Sequence, residues 1–479
     1  MSINTSSDKV TTAGWGALFA GVNKYKVIVL AVAVLLNVSN IYITATVLPT
    51  IVKEIGGLRF YSWNTSLFEI ASIVGAVYSA KLFAAAGPGK AYQAGLLLFM
   101  AGSAVCAAAP VMEVLLMGRL IQGLGGGLLF ALSYAMIRII FEERLWARVM
   151  ALISAMWGAG AFVGPFIGGI FAEHGSWRLG FVSILVLAAG LLVLARYSLP
   201  QKHTEGKSLP VSWFKLVLLV LVVLMVSIGS IYEGLTINLF FTGLAVLFLA
   251  ALVMAENRKG IKLLPTGAYN LRTLLGSSYL VMILFSLVAA VEIFIPYFLQ
   301  VIYGYSPLQS GYLAVLIALG WSLSSMGSAG IPVRHLGKLT VIAAILLMAG
   351  LYGLMLVAHE QATVFEMILL GLALLAIGTG LGLVWPHLSV RILSSAPAGE
   401  EERTSASITI VQLITMTLGA AFGGLVANYN GMTLPGGLAG AKSASVALYG
   451  FFMICPLLVL LLLLLHKNFR DNMFRGARK

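Results

Sequence analysis

Scarcity of charge and of reactive side chains narrows the class of this chain first. It holds two aspartates, Asp8 and Asp471, both in the tails, and two cysteines, Cys106 and Cys455, both in apolar runs. Such cysteines give neither a disulfide framework nor a metal-ligand pattern. Charged residues make up 10% of the sequence, where a soluble domain carries roughly a quarter. No HExxH, GxSxG or GxxxxGK[ST] stretch occurs. Hydrolytic chemistry, a resident metal and direct ATP drive are therefore not expected, and the chain does not read as an enzyme.

What fills the chain is apolar. Hydrophobic residues make up 60% of it, mean hydropathy is +0.99 and there are 52 glycines. This is the composition of an integral membrane protein built of packed helices, because barrel strands would alternate over roughly 10 residues. A crossing needs roughly 20 apolar residues. Fourteen runs qualify, at 27–51, 61–84, 91–109, 111–137, 147–172, 178–198, 212–231, 236–255, 277–303, 308–330, 338–358, 361–388, 404–428 and 443–466. With the N-terminus in the cytoplasm, 25 of the 30 Lys and Arg fall inside, 4 (Lys53, Arg59, Arg178 and Lys442) fall outside, and Arg119 stays in the membrane. That asymmetry places both termini in the cytoplasm. The net charge of +13 then faces anionic lipid, and no nucleic-acid partner is implied. The polar first 26 residues lack a cleavable-signal layout, so the first span is expected to be kept.

Two longer polar loops, 196–215 and 256–276, flank two plain spans. The expected organisation is a tail (1–26), a six-helix bundle (27–198), a linker with two extra transmembrane helices (199–276), a second six-helix bundle (277–466) and a tail (467–479). Paired bundles suggest a transporter with its site at their interface.

The first span reads VLLNVSNIYITATVLPTI over 34–51 and carries Asn37, Ser39, Asn40, Tyr42, Thr44 and Thr46. Such polar groups turn toward other helices or a wet cavity. None of the six ionises at neutral pH, so a proton carrier must be sought elsewhere. With both aspartates in the tails, it must be a glutamate. Most glutamates, Glu256 and Glu400 among them, fall in expected loops or at the surface, and Glu113 and Glu366 sit near outer span ends. Glu69 and Glu292 remain, and Pro296 four residues after Glu292 links that carboxylate to an expected bend. A carboxylate in low dielectric exchanges a proton near neutral pH, and a cationic substrate or an arginine competes with that proton. The alternative for each is a glutamate locked in a helix–helix hydrogen bond.

The fourth span contains GRLIQGLGGG (118–127), with Arg119, Gln122, Gly123 and Gly126 on one face. A lone arginine at that depth needs a partner or water, so it reads as a coupling, substrate-binding or structural group. The fifth span contains GAGAFVGPFIGG (158–169), which puts Gly160, Gly164 and Gly168 on one face, accompanied by Pro165 and Gly169. Spacing by four lets another helix approach closely, and the proline favours a bend.

On these two motifs, together with SWRLGF (176–181) and YFLQVIYGYSPLQSGYLAV (297–315), the sequence resembles the 14-span drug:proton antiporters of the major facilitator superfamily. The resemblance implies an all-α fold of two six-helix bundles plus two central extra helices, rocking between inward- and outward-open states. Gly160, Gly164, Pro165, Gly168 and Gly169 would be its conformational motif, with Arg119 at the arginine position of the fourth span. The family's first-span aspartate is replaced by Asn40, and its gating aspartate after span two by Ala84. Glu69 and Glu292 are therefore expected to carry the proton, with Arg119. Asn37, Asn40, Tyr42, Phe68, Gln122, Tyr297, Gln300, Trp321 and Gln412 are expected to line the substrate cavity, with Tyr134, Phe294, Trp385 and His387 as further candidates.

The expected function is proton-coupled secondary export of amphipathic small molecules, with no cofactor beyond the proton motive force. The partners would be a small-molecule substrate, protons and membrane lipid, in a monomer of the bacterial inner membrane. A dedicated exporter of one siderophore-like metabolite or of a lipid is the alternative. A non-transporting receptor or scaffold is a remote one.

Overall fold

The computed structural model describes residues 15–200, 212–232, 234–258, 260, 262–358 and 363–474. Among them every extended element is helical. A short turn, α1 (Trp15–Leu18), precedes α2 (Asn23–Ile55), α3 (Trp63–Ala86), α4 (Pro88–Ala107), α5 (Met112–Ile140), α6 (Glu143–Glu173) and α7 (Trp177–Ser198). A hairpin follows, of α8 (Trp213–Gly229) and α9 (Leu235–Asn257). The last group is α10 (Leu274–Ala289), α11 (Ile295–Tyr303), α12 (Pro307–Ser328), α13 (Leu336–Val357), α14 (Val364–Ser394), α15 (Glu401–Ala427), α16 (Gly437–Leu465) and the short α17 (Lys467–Phe474).

Twelve helical segments among the described residues are long and apolar enough to cross a membrane. Two of the fourteen expected spans fall outside that set. Pro88–Ala107 has 20 residues but carries Lys90, Tyr92 and Gln93, and Trp213–Gly229 has only 17 residues. Length and apolarity alone thus mark twelve crossings among the described residues.

Local chemistry sets the helix ends. Gly87, with φ 79°, reverses the chain, and Pro88 starts α4 where a helix needs no N–H donor. Gly304 (φ 68°) ends α11, and Ser306 with Gln309 forms a capping box on α12 behind Pro307. Thr363 and Glu366 form the same box on α14. Glu366, seen from the sequence as a span-end carboxylate, is therefore a helix cap.

Span nine is broken. Pro296 offers no N–H to the carbonyl four residues back, and the chain makes a 3-10 turn over Ala290–Ile293 between α10 and α11.

Helix packing follows small residues. α5 lies between α3 and α4: Gly123 faces the Phe68 carbonyl, Gly127 faces Ser72, and Gly125 faces Phe99 and Gly95. The Ser72 hydroxyl donates to the Gly123 carbonyl at 3.1 Å. The SWRLGF stretch starts α7, where Trp177 Nε1 donates to Glu54 at 2.6 Å. Arg178 pairs with the same carboxylate and also donates to Ala109 O at 3.0 Å.

The hairpin is less plain than its sequence suggests. The buried residues of α9 are Asn238, Ala245, Leu252 and Glu256, a stripe turned toward α8. Lys215 Nζ lies 2.7 Å from Glu256, with both side chains buried. The Glu256 carboxylate also accepts the backbone N–H groups of Leu263 and Leu264 at 2.9 and 3.2 Å. The reading of Glu256 as a loop residue is corrected here. It lies in the last turn of α9, and its charge is balanced by Lys215 and two amides.

Candidate functional site: two buried glutamates and the seam between helix groups

The glycine motif of α6 divides its work. Gly160, Gly164 and Gly168 face α2: a Cβ there would sit 2.7 Å from Val38, 2.5 Å from Tyr42 Cβ and 3.0 Å from the Ile43 carbonyl. Gly169 instead faces Leu308 of α12, where a Cβ would come within 2.6 Å. Pro165 faces Gly311 of α12, whose own Cβ would lie 2.9 Å from the proline ring and 2.8 Å from the Thr46 hydroxyl. One row of the motif thus fixes α6 to α2, and the other residues form its contact with the later helix group.

The Arg119 site lies within the first group. Arg119 is buried, donates to Asn64 O at 3.2 Å and to Gln122 Oε1 at 2.5 Å, and lies 4.1 Å from the centre of the Phe68 ring. Gln122 Nε2 donates in turn to Ser103 on α4 at 2.8 Å. Glu69 is buried on α3 and is electrostatically linked to Arg119. A guanidinium with a carboxylate, an amide and an aromatic face around it is a compensated buried charge. Phe68, expected in the cavity, here forms the floor beneath Arg119.

The second site lies on the seam. Glu292 stands on the 3-10 turn of span nine, and the Tyr42 hydroxyl from α2 lies beside its carboxylate. One carboxylate oxygen, Oε1, is buried with no hydrogen-bond partner. Unpartnered buried polar atoms gather on the helices around the two sites: Asn37 Oδ1, Ser39 Oγ and both amide atoms of Asn40 on α2, Ser66 Oγ on α3 and Ser286 Oγ on α10. Groups of this kind in a packed interior call for water, a proton or a ligand.

On the Tyr61 side of Glu292 the seam is closed by polar and aromatic contacts. Tyr61 donates to Ile293 O at 3.3 Å, and its ring lies 5.7 Å from Phe294 and 5.3 Å from Tyr297. Gln300 donates to Thr46 O at 3.2 Å and to Ser310 at 2.8 Å. Glu173 accepts the Leu308 N–H at 3.2 Å.

The remaining candidates lie apart from this pair. Trp321 is half-buried on α12, nine residues beyond Tyr312, and its ring sits 5.4 Å from Trp385. Gln412 is half-buried on α15, two turns before Gly419, which faces Ala290 at the break. His387 is buried in α14, with its Nε2 lacking a partner. The sequence reading missed Asn64, Ser103 and Tyr61. Only Tyr61, an aromatic at a span end, had a visible signal.

The comparisons agree on one family. The sequence model of the Major Facilitator Superfamily matches residues 30–424. A relative described as a probable multidrug-efflux transporter of Mycobacterium tuberculosis is 34% identical over 410 residues, 84% of this chain and 87% of its own. Multidrug resistance protein 3 of Bacillus subtilis is 24% identical over 412 residues, 84% and 79% of the two chains. Among solved structures, a bacterial homologue of the human lysosomal transporter Spinster, inward-facing and unoccupied, superposes with TM-score 0.68 at 15% identity, covering 96% of this chain and all of that one. A D-xylose–proton symporter gives 0.62 at 15% identity, covering 90% and 97%. At these identities the solved structures speak for the fold alone.

Proposed function

The chain belongs to the major facilitator superfamily and is a transporter rather than an enzyme, and from that premise we propose that it exports amphipathic, cationic small molecules across a bacterial inner membrane in exchange for protons. The observation that carries the reading is Glu292. It is a carboxylate at a helix break, on the seam between helix groups, with Tyr42 of α2 beside it and its Oε1 unpartnered. A proton and a cationic substrate cannot both be stabilised by one carboxylate, so each displaces the other. Glu69 beside Arg119 is the second proton-binding group, and the polar atoms of Asn37, Asn40 and Ser286 offer hydrogen bonds to the substrate. The efflux named for the mycobacterial relative supports the direction of transport.

In this reading the chain is a monomer with fourteen crossings, the helices Pro88–Ala107 and Trp213–Gly229 included, and both termini are cytoplasmic. Two six-helix bundles, 27–198 and 277–466, rock about the seam. The contacts of Tyr61, Gln300 and Glu173 then close the outer side of an inward-facing state. The test is accumulation of a fluorescent lipophilic cation in efflux-deficient cells carrying empty vector, wild type, Glu69→Gln or Glu292→Gln at matched expression. Wild type is expected to accumulate less than vector, and a protonophore or Glu292→Gln to remove the difference. Export that survives both would sink the reading.

A further inference from the structure

The two helices of the hairpin lie where the two groups meet. α8 packs on α3 of the first group and α15 of the last, and one apolar cluster joins Ile70 of α3, Val222, Val223 and Val226 of α8, and Ala421 of α15. Polar contacts concentrate at the C-terminal end of α8. The last carbonyls of a helix have no partner within it and carry the negative end of its dipole, so they need donors from elsewhere.

Both groups supply such donors. Trp63 Nε1, at the start of α3, donates to Ser227 O at 2.8 Å. Asn428, just past α15, donates through Nδ2 to Ser230 O at 2.8 Å and to Arg59 O at 3.0 Å. Two carbonyl acceptors fix the amide's orientation, because only its NH2 can serve both. Asn428 is buried and its bond to Ser230 O is buried with it, whereas the bond to Arg59 O is part-buried. Close packing reinforces the site: a Cβ on Gly424 would collide with Ser62. A cavity of about 420 Å³ beside it is walled by Leu58 and Arg59 of the first group, Ile231 of the hairpin and Thr433 of the last, so all three parts converge there.

From this we infer that Asn428 is a gate residue, tying the first helix group, the hairpin and the last helix group together when the outer side is shut, with the end of α8 as the shared acceptor. The inference rests on alternating access as proposed above. Opening the outer side draws Arg59 away from Asn428, which costs that buried amide one acceptor, or draws Trp63 away from Ser227, which leaves the carbonyl of that buried residue without its donor. The two extra helices therefore bias the transporter toward its inward-facing state. The arrangement involves neither buried glutamate, so it acts on the conformational balance and not on proton binding.

The experiment is a distance measurement between spin labels at Lys53→Cys and Gln309→Cys, both exposed near the shut end, on the purified full chain in nanodiscs. The native Cys106 and Cys455 are buried and stay unlabelled. Wild type is expected to populate a short and a long distance. Asn428→Ala should raise the long-distance fraction roughly five- to tenfold, since it removes one buried and one part-buried hydrogen bond. Trp63→Phe, which keeps the ring but not the donor, should move it the same way by a smaller factor. Unchanged distributions in both folded variants overturn the proposal, and a shift confined to Asn428→Ala overturns the part given to the hairpin. A wild type fixed at one distance at every pH and with every added cation would instead remove the alternating-access reading.

Discussion

Glu69 and Glu292 are the same residue type, yet their surroundings differ in kind. Glu69 lies inside one helix group, near an arginine that is itself held by Asn64, Gln122 and the Phe68 ring. Glycine contacts from α5 to α3 and α4 lock that neighbourhood. Glu292 stands where the helix is interrupted, and its Tyr42 partner belongs to the other group. A rigid-body motion leaves the first environment intact and must change the second. The contrast separates a charge that is stored from a charge that is switched.

The largest effect that would test this contrast is Glu292→Gln, expected to remove protonophore-sensitive export by tenfold or more, with Glu69→Gln milder. Equal losses in cation accumulation would erase the distinction between the sites. Next comes Arg119→Leu, which leaves Glu69 without compensation and Gln122 without its donor partner. Breaking a buried charge pair costs about 3–5 kcal/mol, so a large drop in the unfolding midpoint of the purified protein is expected. Arg119→Lys should recover only part of it, because an ammonium cannot reproduce the guanidinium fork.

Gly164→Ala forces a methyl group against Tyr42 and should destabilise by about 1–3 kcal/mol, as overpacking does, read in the same thermal assay. Tyr42→Phe keeps that packing and removes only the hydroxyl beside Glu292. Initial export rates measured across pH should fall by a few fold, with the pH optimum displaced. An unmoved optimum would detach Tyr42 from the proton.

The smallest effect concerns Glu400, outside the spans. The backbone N–H of Thr266 holds its carboxyl below the ordinary carboxylate value, helped by the Thr266 hydroxyl and by Arg403 and Lys262. A depressed value in the folded state means that the tie is complete above the ordinary value of 4.5 and is lost as pH falls through the folded one. The protection factor of the Thr266 amide against hydrogen exchange should therefore hold steady from neutral pH down to about pH 5, and Glu400→Gln should lower it by less than about tenfold at neutral pH.

Much of this architecture is legible from local pattern. The polar stripe of α2, the glycine spacing of α6 and the Arg119–Gln122 face all follow from helical periodicity, and the break at Glu292 follows from Pro296. What could not be read depends on contacts between distant segments. Tyr42 and Glu292 are 250 positions apart, and no spacing rule links them. The same holds for Gly169, whose partner is Leu308 rather than α2. Lys215 and Glu256 sit at the edges of polar loops, so composition assigned them to water, whereas their mutual charge allows burial. Both further expected spans, Pro88–Ala107 and Trp213–Gly229, are helices, the one more polar and the other shorter than the twelve long apolar segments.

The divided glycine motif of α6 has a mechanical consequence. Where α6 meets α12, Gly169 and Gly311 present bare backbone to the opposing helix. Interlocking side chains would act as gear teeth and permit only certain registers. At this contact each glycine receives a side chain, Gly169 that of Leu308 and Gly311 the Pro165 ring, so few teeth mesh. Under the rocking motion proposed above, the row facing α2 would hold the shaft in its housing, and the Gly169 edge would be the surface on which it turns.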